Sequence, residues 1–326
     1  MVMIETALTR LLGITHPILL APMGSASGGK LAAAVTNAGG LGLIGSGYAD
    51  SATIKKELAA AGNTRVGVGF ITWALDKNPA ALDVALAAQP PAVMISFGNP
   101  MPYARAVRDA GVKLICQVQT LAEAVEAASA GADIIIAQGR DAGGHSGTTR
   151  GTMGFIPAVV DAVGAIPVVA AGGIADGRGL AAALTLGAAG VLMGTRFAAS
   201  AESLWAETMK QRLTTAGGDE TEQTRVFDIV RNAPWPTKYP GRAVRNAFSA
   251  RWHPSEEELR EKRAEVETDY LSAPIDDFST RVVWAGEGVD LIGDVKTAEE
   301  IVIQTVSEAA AERGRCSALV RQSRAS

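Results

Sequence analysis

The sequence predicts an α/β fold: a TIM (β/α)8 barrel with a smaller, mostly helical second module inserted near the C-terminus. Three observations carry that prediction. Eight short aliphatic runs recur through the first 200 residues, and Ala-rich stretches of helical period separate them, the pattern of repeated β/α units around a parallel sheet. The runs are apolar almost without interruption, as strands covered on both faces are. Their spacing, roughly 20 to 30 residues per unit, suits a closed barrel, whereas a doubly wound sheet normally needs fewer strands.

The eight runs, in order, are PILLAP (17–22), LGLIG (41–45), RVGVGF (65–70), AVMIS (92–96), KLICQV (113–118), DIIIAQ (133–138), PVVAAGG (167–173) and GVLMGTR (190–196). Helical stretches such as GGKLAAAVTNAGG and TLAEAVEAASAGAD lie between them, each closed by a glycine suited to the left-handed C-terminal position. Residues 1–200 therefore read as the barrel. From about Ala201 the texture becomes charged and Pro-rich, with four of the five tryptophans at 205, 235, 252 and 284. Residues 201–295 read as a helical lid or substrate module. Residues 296–326 read as a C-terminal helix that packs back on the barrel, opened by Thr297 with Glu300 three positions on, a capping box.

Composition narrows the function. A net charge of −4 leaves no basic footprint for nucleic acid. The first residues carry an acid, Glu5, and no basic leader, and Pro and Gly interrupt any membrane-spanning run, so a cytoplasmic location without a membrane partner is expected. The two cysteines, Cys116 and Cys316, imply no disulfide framework. Cys116, inside KLICQV, reads as a buried strand residue. Three scattered histidines and no cluster at ligand spacing offer nothing to hold a metal. Neither a G-x-S-x-G elbow nor a dinucleotide fingerprint after a strand is present, and the glycines of GLGLIGSG interrupt a strand.

In a β/α barrel the loops after the strands build the site. After the seventh run, Gly172 and Gly173 free backbone N–H groups for an anion, and after the eighth, Gly194 and Thr195 offer the same with a hydroxyl. Consecutive loops of this kind, where barrels bind phosphate, predict a phosphate-bearing cofactor or substrate. The loop after the sixth run, RDAGGHSG, sets His145 beside Gly143 and Gly144, which let backbone pass close to a flat ring; His145 is the candidate acid or base. His16 precedes the first strand and reads as structural, and His253 as a surface or capping residue. Arg140 and Asp141 read as solvated loop charges.

At these residues the chain resembles the nitronate monooxygenase family, formerly 2-nitropropane dioxygenases, a group that includes FMN-type enoyl-ACP reductases. The matching segments are APM (21–23), NAGGLG (37–42), AQGRDAGGHSG (137–147), AAGGIADGRG (170–179), MGTRF (193–197) and AVRNAFSARW (243–252). The resemblance implies an FMN cofactor, with Pro22, Met23 and Gly24 by the isoalloxazine ring and Gln138, Gly143 and Gly144 near its polar edge. Gly172, Gly173, Leu192, Met193, Gly194 and Thr195 would hold the phosphate, and His145 corresponds to the family's catalytic histidine. Two positions depart from relatives: Gly69 stands where many carry an Asn at the flavin, and Gln117 where some carry a Lys. Ser146, Trp235, Tyr239 and Trp252 are candidates for a substrate pocket; the alternative for the aromatics is the module's own core.

Three functions follow as expectations. The first is oxidation of nitronates or nitroalkanes by O2 to a carbonyl compound and nitrite, with His145 as base. The second is an NAD(P)H-dependent FMN reductase acting on an enoyl thioester or a quinone, for which FGNP (97–100) and TTRGTM (148–153) are also suggestive. A flavin-free barrel binding a phosphorylated ligand is the third. The physiological substrate and whether the chain forms a homodimer stay open.

Overall fold

The computed structural model describes residues 3–147 and 149–322, the side chains of 316–322 excepted. Thr148 of the TTRGTM loop and the side chain of Cys316 lie outside the described part. All eight expected strands form: β1 (Ile18–Leu20), β2 (Leu43–Gly45), β3 (Gly67–Ile71), β4 (Ala92–Ser96), β5 (Lys113–Val118), β6 (Ile134–Gln138), β8 (Val168–Ala171) and β9 (Gly190–Met193). They pair in parallel in the order β1-β9-β8-β6-β5-β4-β3-β2. A parallel bridge between Leu19 and Leu41 closes the ring.

Alternation along each strand sorts the side chains. Leu19, Leu43, Met94, Ile115, Ile134, Ile136, Val169 and Leu192 fill the barrel interior, with Leu8 added to that cluster from the N-terminal helix. Their neighbours, such as Ile18, Leu20, Ala170, Val191 and Met193, pack outward under the helices. Both sets are buried, which is why the runs read as continuously apolar.

The glycines of the NAGGLGLIGSG stretch serve close packing. A Cβ on Gly42 would fall 1.9 Å from the carbonyl oxygen of Ala32 and 2.4 Å from its Cα, and one on Gly45 2.6 Å from the carbonyl carbon of Met23. The helix Gly29–Asn37 and the chain after β1 therefore lie directly on β2. Because the obstacle at Gly42 is backbone, Gly42→Ala is expected to cost about 3 kcal/mol, read as a lower denaturant midpoint with an unchanged slope.

The C-terminal helix, Ala298–Gln322, begins in the expected box: Glu300 N donates to Thr297 Oγ1 (3.2 Å), and Thr297 N donates to the Glu300 carboxylate (2.9 Å). Its residues Ala298, Ile301, Val302, Val306 and Ala309 join the cluster outside β1 and β9.

Between the barrel and that helix the chain is helical, as expected, but it also carries a small antiparallel sheet that the sequence did not announce. Two residues of the loop after β6 form β7 (Gly144–His145), which pairs with β11 (Gly241–Val244), itself paired with β10 (Thr221–Thr224). His145 thus sits opposite Gly241 on a strand, not on a free loop.

Candidate active site

Strand alternation also builds the floor of the site. The inward series on β4, β5 and β6 ends in polar residues at the C-terminal end: Met94 then Ser96, Ile115 then Gln117, Ile136 then Gln138. Above them opens a cavity of about 450 Å³ lined by the loops after β1, β2, β4, β6, β8 and β9, a volume that suits a cofactor-sized ligand. Of the expected cofactor residues, Pro22, Met23, Gly24, Gln138, Gly143, Gly144, Gly172, Gly173, Leu192, Gly194 and Thr195 line it, together with His145 and Trp235.

Met193 does not line it. It follows the inward-facing Leu192, so alternation turns it outward into the helix-facing core. Ser146 is buried off the cavity, its N–H bonded to the carbonyl of Pro240. Tyr239 is buried behind the wall, against the backbone of Gly147 and the rings of Phe97 and Trp235. Trp252 stacks under Arg251 and packs with Phe248 in the core of the helical module, away from the cavity. Asp141 is not merely a solvated charge: its carboxylate accepts from Thr152 N at 2.7 Å at the start of the helix Thr152–Val163.

His145 has a partner from a distant segment. Its Nε2 lies 2.9 Å from Asp228 Oδ2, with both side chains about nine-tenths buried. Asp228 sits on the short helix Val226–Val230, all of whose residues are buried, and its other oxygen accepts from Arg231 Nη2 at 3.3 Å. A carboxylate can only accept, so Nε2 carries the proton of a neutral imidazole and Nδ1 becomes the basic nitrogen. Trp235 stacks on the ring at 3.5 Å with a 7° interplanar angle. From the floor, Gln138 Nε2 donates to the carbonyl of His145 (3.2 Å), while its Oε1 accepts from Gln119 (2.9 Å) and Gln117 (3.2 Å). Gln138 and Gln117 therefore support the histidine strand as well as lining the cavity.

Where the loops after β8 and β9 line it, the cavity is a glycine cradle. Gly172 and Gly173 have φ of 110° and 68°, values open to glycine and strained for other residues. The N–H groups of Gly173 and Gly194 have no hydrogen-bond acceptor among the described residues. The segment 284–288, WAGEG, closes over this cradle: Gly286 N donates to Thr195 Oγ1 (3.1 Å) and Glu287 N to the carbonyl of Asp141 (2.9 Å). The buried guanidinium of Arg242 holds Glu287 at 2.8 Å. Glycine is required on both sides, since a Cβ on Gly143 would meet Gly286 N at 2.5 Å and one on Gly288 the Gly173 oxygen at 2.5 Å.

Gly69 faces Pro22, whose ring occupies the space a side chain there would need (2.3 Å). Pro22 thus takes up the room left on β3. Phe97, with φ of 64°, Trp73 and Trp235 form an aromatic wall, and Tyr48 stands at the rim, where burial raises its hydroxyl pKa against the lowering pull of Arg231. His16 is buried below the barrel against Gly39, and His253 is exposed and bonded to Thr224. Burial pushes the Cys116 thiol up to about 12, so it is no nucleophile.

Asp228, Arg231, Ser46 and the WAGEG segment are the site residues that sequence reasoning missed, whereas Phe97 belongs to the FGNP segment it had singled out. A lone aspartate inside the apolar run VFDIV was the available signal, because a buried carboxylate needs a partner.

A barrel with this cavity at its mouth belongs to the class of flavin-dependent oxidoreductases. More narrowly, the chain belongs to the nitronate monooxygenase family, whose profile matches residues 5–64 and 55–308. It is 33% identical to a nitronate monooxygenase of Neurospora crassa over 90% of this chain and 89% of that one. It is also 37% identical to the (3aS,4S,5R,7aS)-5-hydroxy-7a-methyl-1-oxo-octahydro-1H-indene-4-carboxyl-CoA dehydrogenase of Rhodococcus jostii over 69% of this chain, a match that spans only 64% of that protein. The structure of FabK from Thermotoga maritima superposes with a TM-score of 0.85 at 33% identity, covering 97% of this chain and 99% of that one. Among the described residues, no helix is long and apolar enough to cross a membrane.

Proposed function

We propose that the protein binds FMN and oxidises alkyl nitronates, and nitroalkanes by way of them, to carbonyl compounds and nitrite with O2 as oxidant. The observation that carries this reading is His145 in the cavity lining with the buried carboxylate of Asp228 behind it, a base whose proton position is fixed by that carboxylate.

The cavity fits the cofactor. The unpartnered N–H groups of Gly173 and Gly194, beside the Thr195 hydroxyl, suit a phosphate. Ser46, whose buried hydroxyl has no hydrogen-bond partner, is available to a polar edge of the ring system. FMN, when bound, accepts electrons from the substrate and returns them to O2. His145 Nδ1 takes the proton from the carbon bearing the nitro group, and Asp228 stabilises the resulting imidazolium. Trp235 fixes the ring plane, and Trp284 packs near the same ring, leaving the His145 side chain only 10% exposed to water.

The likeness to FabK and to a CoA-ester dehydrogenase supports a second reading, NAD(P)H reduction of FMN followed by transfer to an enoyl thioester or a quinone. Anaerobic mixing of the holoenzyme separates them. Loss of the flavin's visible absorbance with ethyl nitronate, and not with NADH or NADPH, is the expected result, with nitrite released on turnover in air. Rapid bleaching by either nicotinamide and none by the nitronate establishes the second reading instead.

A further inference from the structure

The cavity contains one permanently charged side chain that the proton transfer leaves unused. Among its lining residues Arg231 is the single Lys or Arg, and no Asp or Glu lines it. Arg231 is held in place: Nε donates to the carbonyl of Phe227 (2.7 Å), Nη2 to Asp228 Oδ1 (3.3 Å), and the guanidinium lies 5.5 Å from the Trp284 ring centre. Nη1 makes no hydrogen bond among the described residues.

We propose that Arg231 is the anion-recognition residue of this site and binds the planar oxyanion head of the substrate next to His145. This rests on the nitronate reading for the identity of that head group. Charge balance argues for it. Asp228 already serves two partners, Oδ2 toward His145 and Oδ1 toward Arg231. Once His145 holds a proton, two cations share one buried carboxylate, and an anion beside Arg231 neutralises the excess. Geometry agrees, since a guanidinium edge presents parallel N–H groups that match a flat two-oxygen anion better than an ammonium does. Arg231 is anchored three residues from Asp228, so one helix end sets both the base and the anion site. The consequence is selectivity: the nitronate gains a charged hydrogen bond that the neutral nitroalkane lacks.

Nitrate, a planar oxyanion, is the probe. Calorimetric titration of nitrate into wild-type holoenzyme is expected to show binding that competes with nitronate. In Arg231→Met that binding should weaken about 10- to 100-fold, with KM for the nitronate rising in parallel and KM for the neutral nitroalkane moving by less than about threefold. Arg231→Lys, which keeps the charge, should recover part of the loss. Two results overturn the proposal: nitrate binding in Arg231→Met equal to wild type, or no further weakening when Arg231→Met is added to Asp228→Asn, which would mean that Arg231 acts only by positioning the carboxylate. Nitrate binding is read without turnover. Arg231-dependent nitrate binding in an enzyme inert to nitronates therefore rejects the nitronate reading and leaves the anion site standing, whereas nitronate turnover with Arg231-independent nitrate binding rejects the anion site alone.

Discussion

His145→Ala is expected to lower turnover of a neutral nitroalkane by about 10²- to 10⁴-fold, the usual contribution of a positioned general base, while leaving flavin content unchanged. The loss should be much smaller, under about tenfold, when the nitronate is supplied preformed, because the proton that His145 removes is then already gone. The glycine cradle at Gly173 and Gly194 is built on other loops than His145, so the substitution is expected to leave flavin binding intact. Asp228→Asn tests the same pair from the other side. An amide can donate to Nε2, which moves the imidazole proton to Nδ1 and removes the basic lone pair from the cavity. A fall of about 10²-fold with the neutral substrate is expected, following the logic of a wrong tautomer. Nitrite release under saturating substrate measures both variants. Equal activity of His145→Ala and wild type on the neutral nitroalkane removes the base from the scheme.

The parts of this site that were legible in the sequence are those that local chemistry dictates. Eight barrel strands announce themselves because burial on both faces demands continuous apolar runs. Gly172 and Gly173 stand out because the turn after the seventh barrel strand needs positive φ, and His145 because glycines flank it. What was not legible depends on long-range pairing. Asp228 is 83 residues from His145, on a helix of five residues too short for a periodic signal. The pairing of β7 with β11 joins two residues of a Gly-rich loop to a strand behind a Pro-rich stretch, and neither segment reads as a strand alone. Trp235 and Trp252 could not be told apart, since an aromatic side chain serves a cavity wall and a small core equally well. The contacts of the fold separate them: Trp235 stacks on His145 and Trp252 under Arg251. Asp141 looked like a surface charge because a helix cap supplied from 11 residues upstream leaves no mark at the usual capping position.

Gly173→Val is expected to yield a protein that purifies with less than about a tenth of the wild-type flavin. A β-branched residue at φ of 68° is a backbone outlier costing on the order of 1–3 kcal/mol, and relief of that strain rotates the N–H away from the position that suits a phosphate. A side chain at this position would also press on Asp141, whose Cβ is 3.2 Å from the ideal Cβ site, and the carbonyl of Asp141 holds Glu287 in the closing segment. Loss of flavin through general instability is separated by a matched control. Gly187 has φ of 93° and its ideal Cβ lies 3.2 Å from a Val160 side-chain carbon, but it is not among the cavity residues. Gly187→Val should therefore lose comparable stability in a thermal melt and keep its flavin. The ratio of visible to ultraviolet absorbance after gel filtration, with and without added FMN, reads the difference directly. A Gly173→Val protein that retains stoichiometric flavin places the phosphate elsewhere, and equal flavin loss in both variants assigns the effect to folding instead of to the cradle.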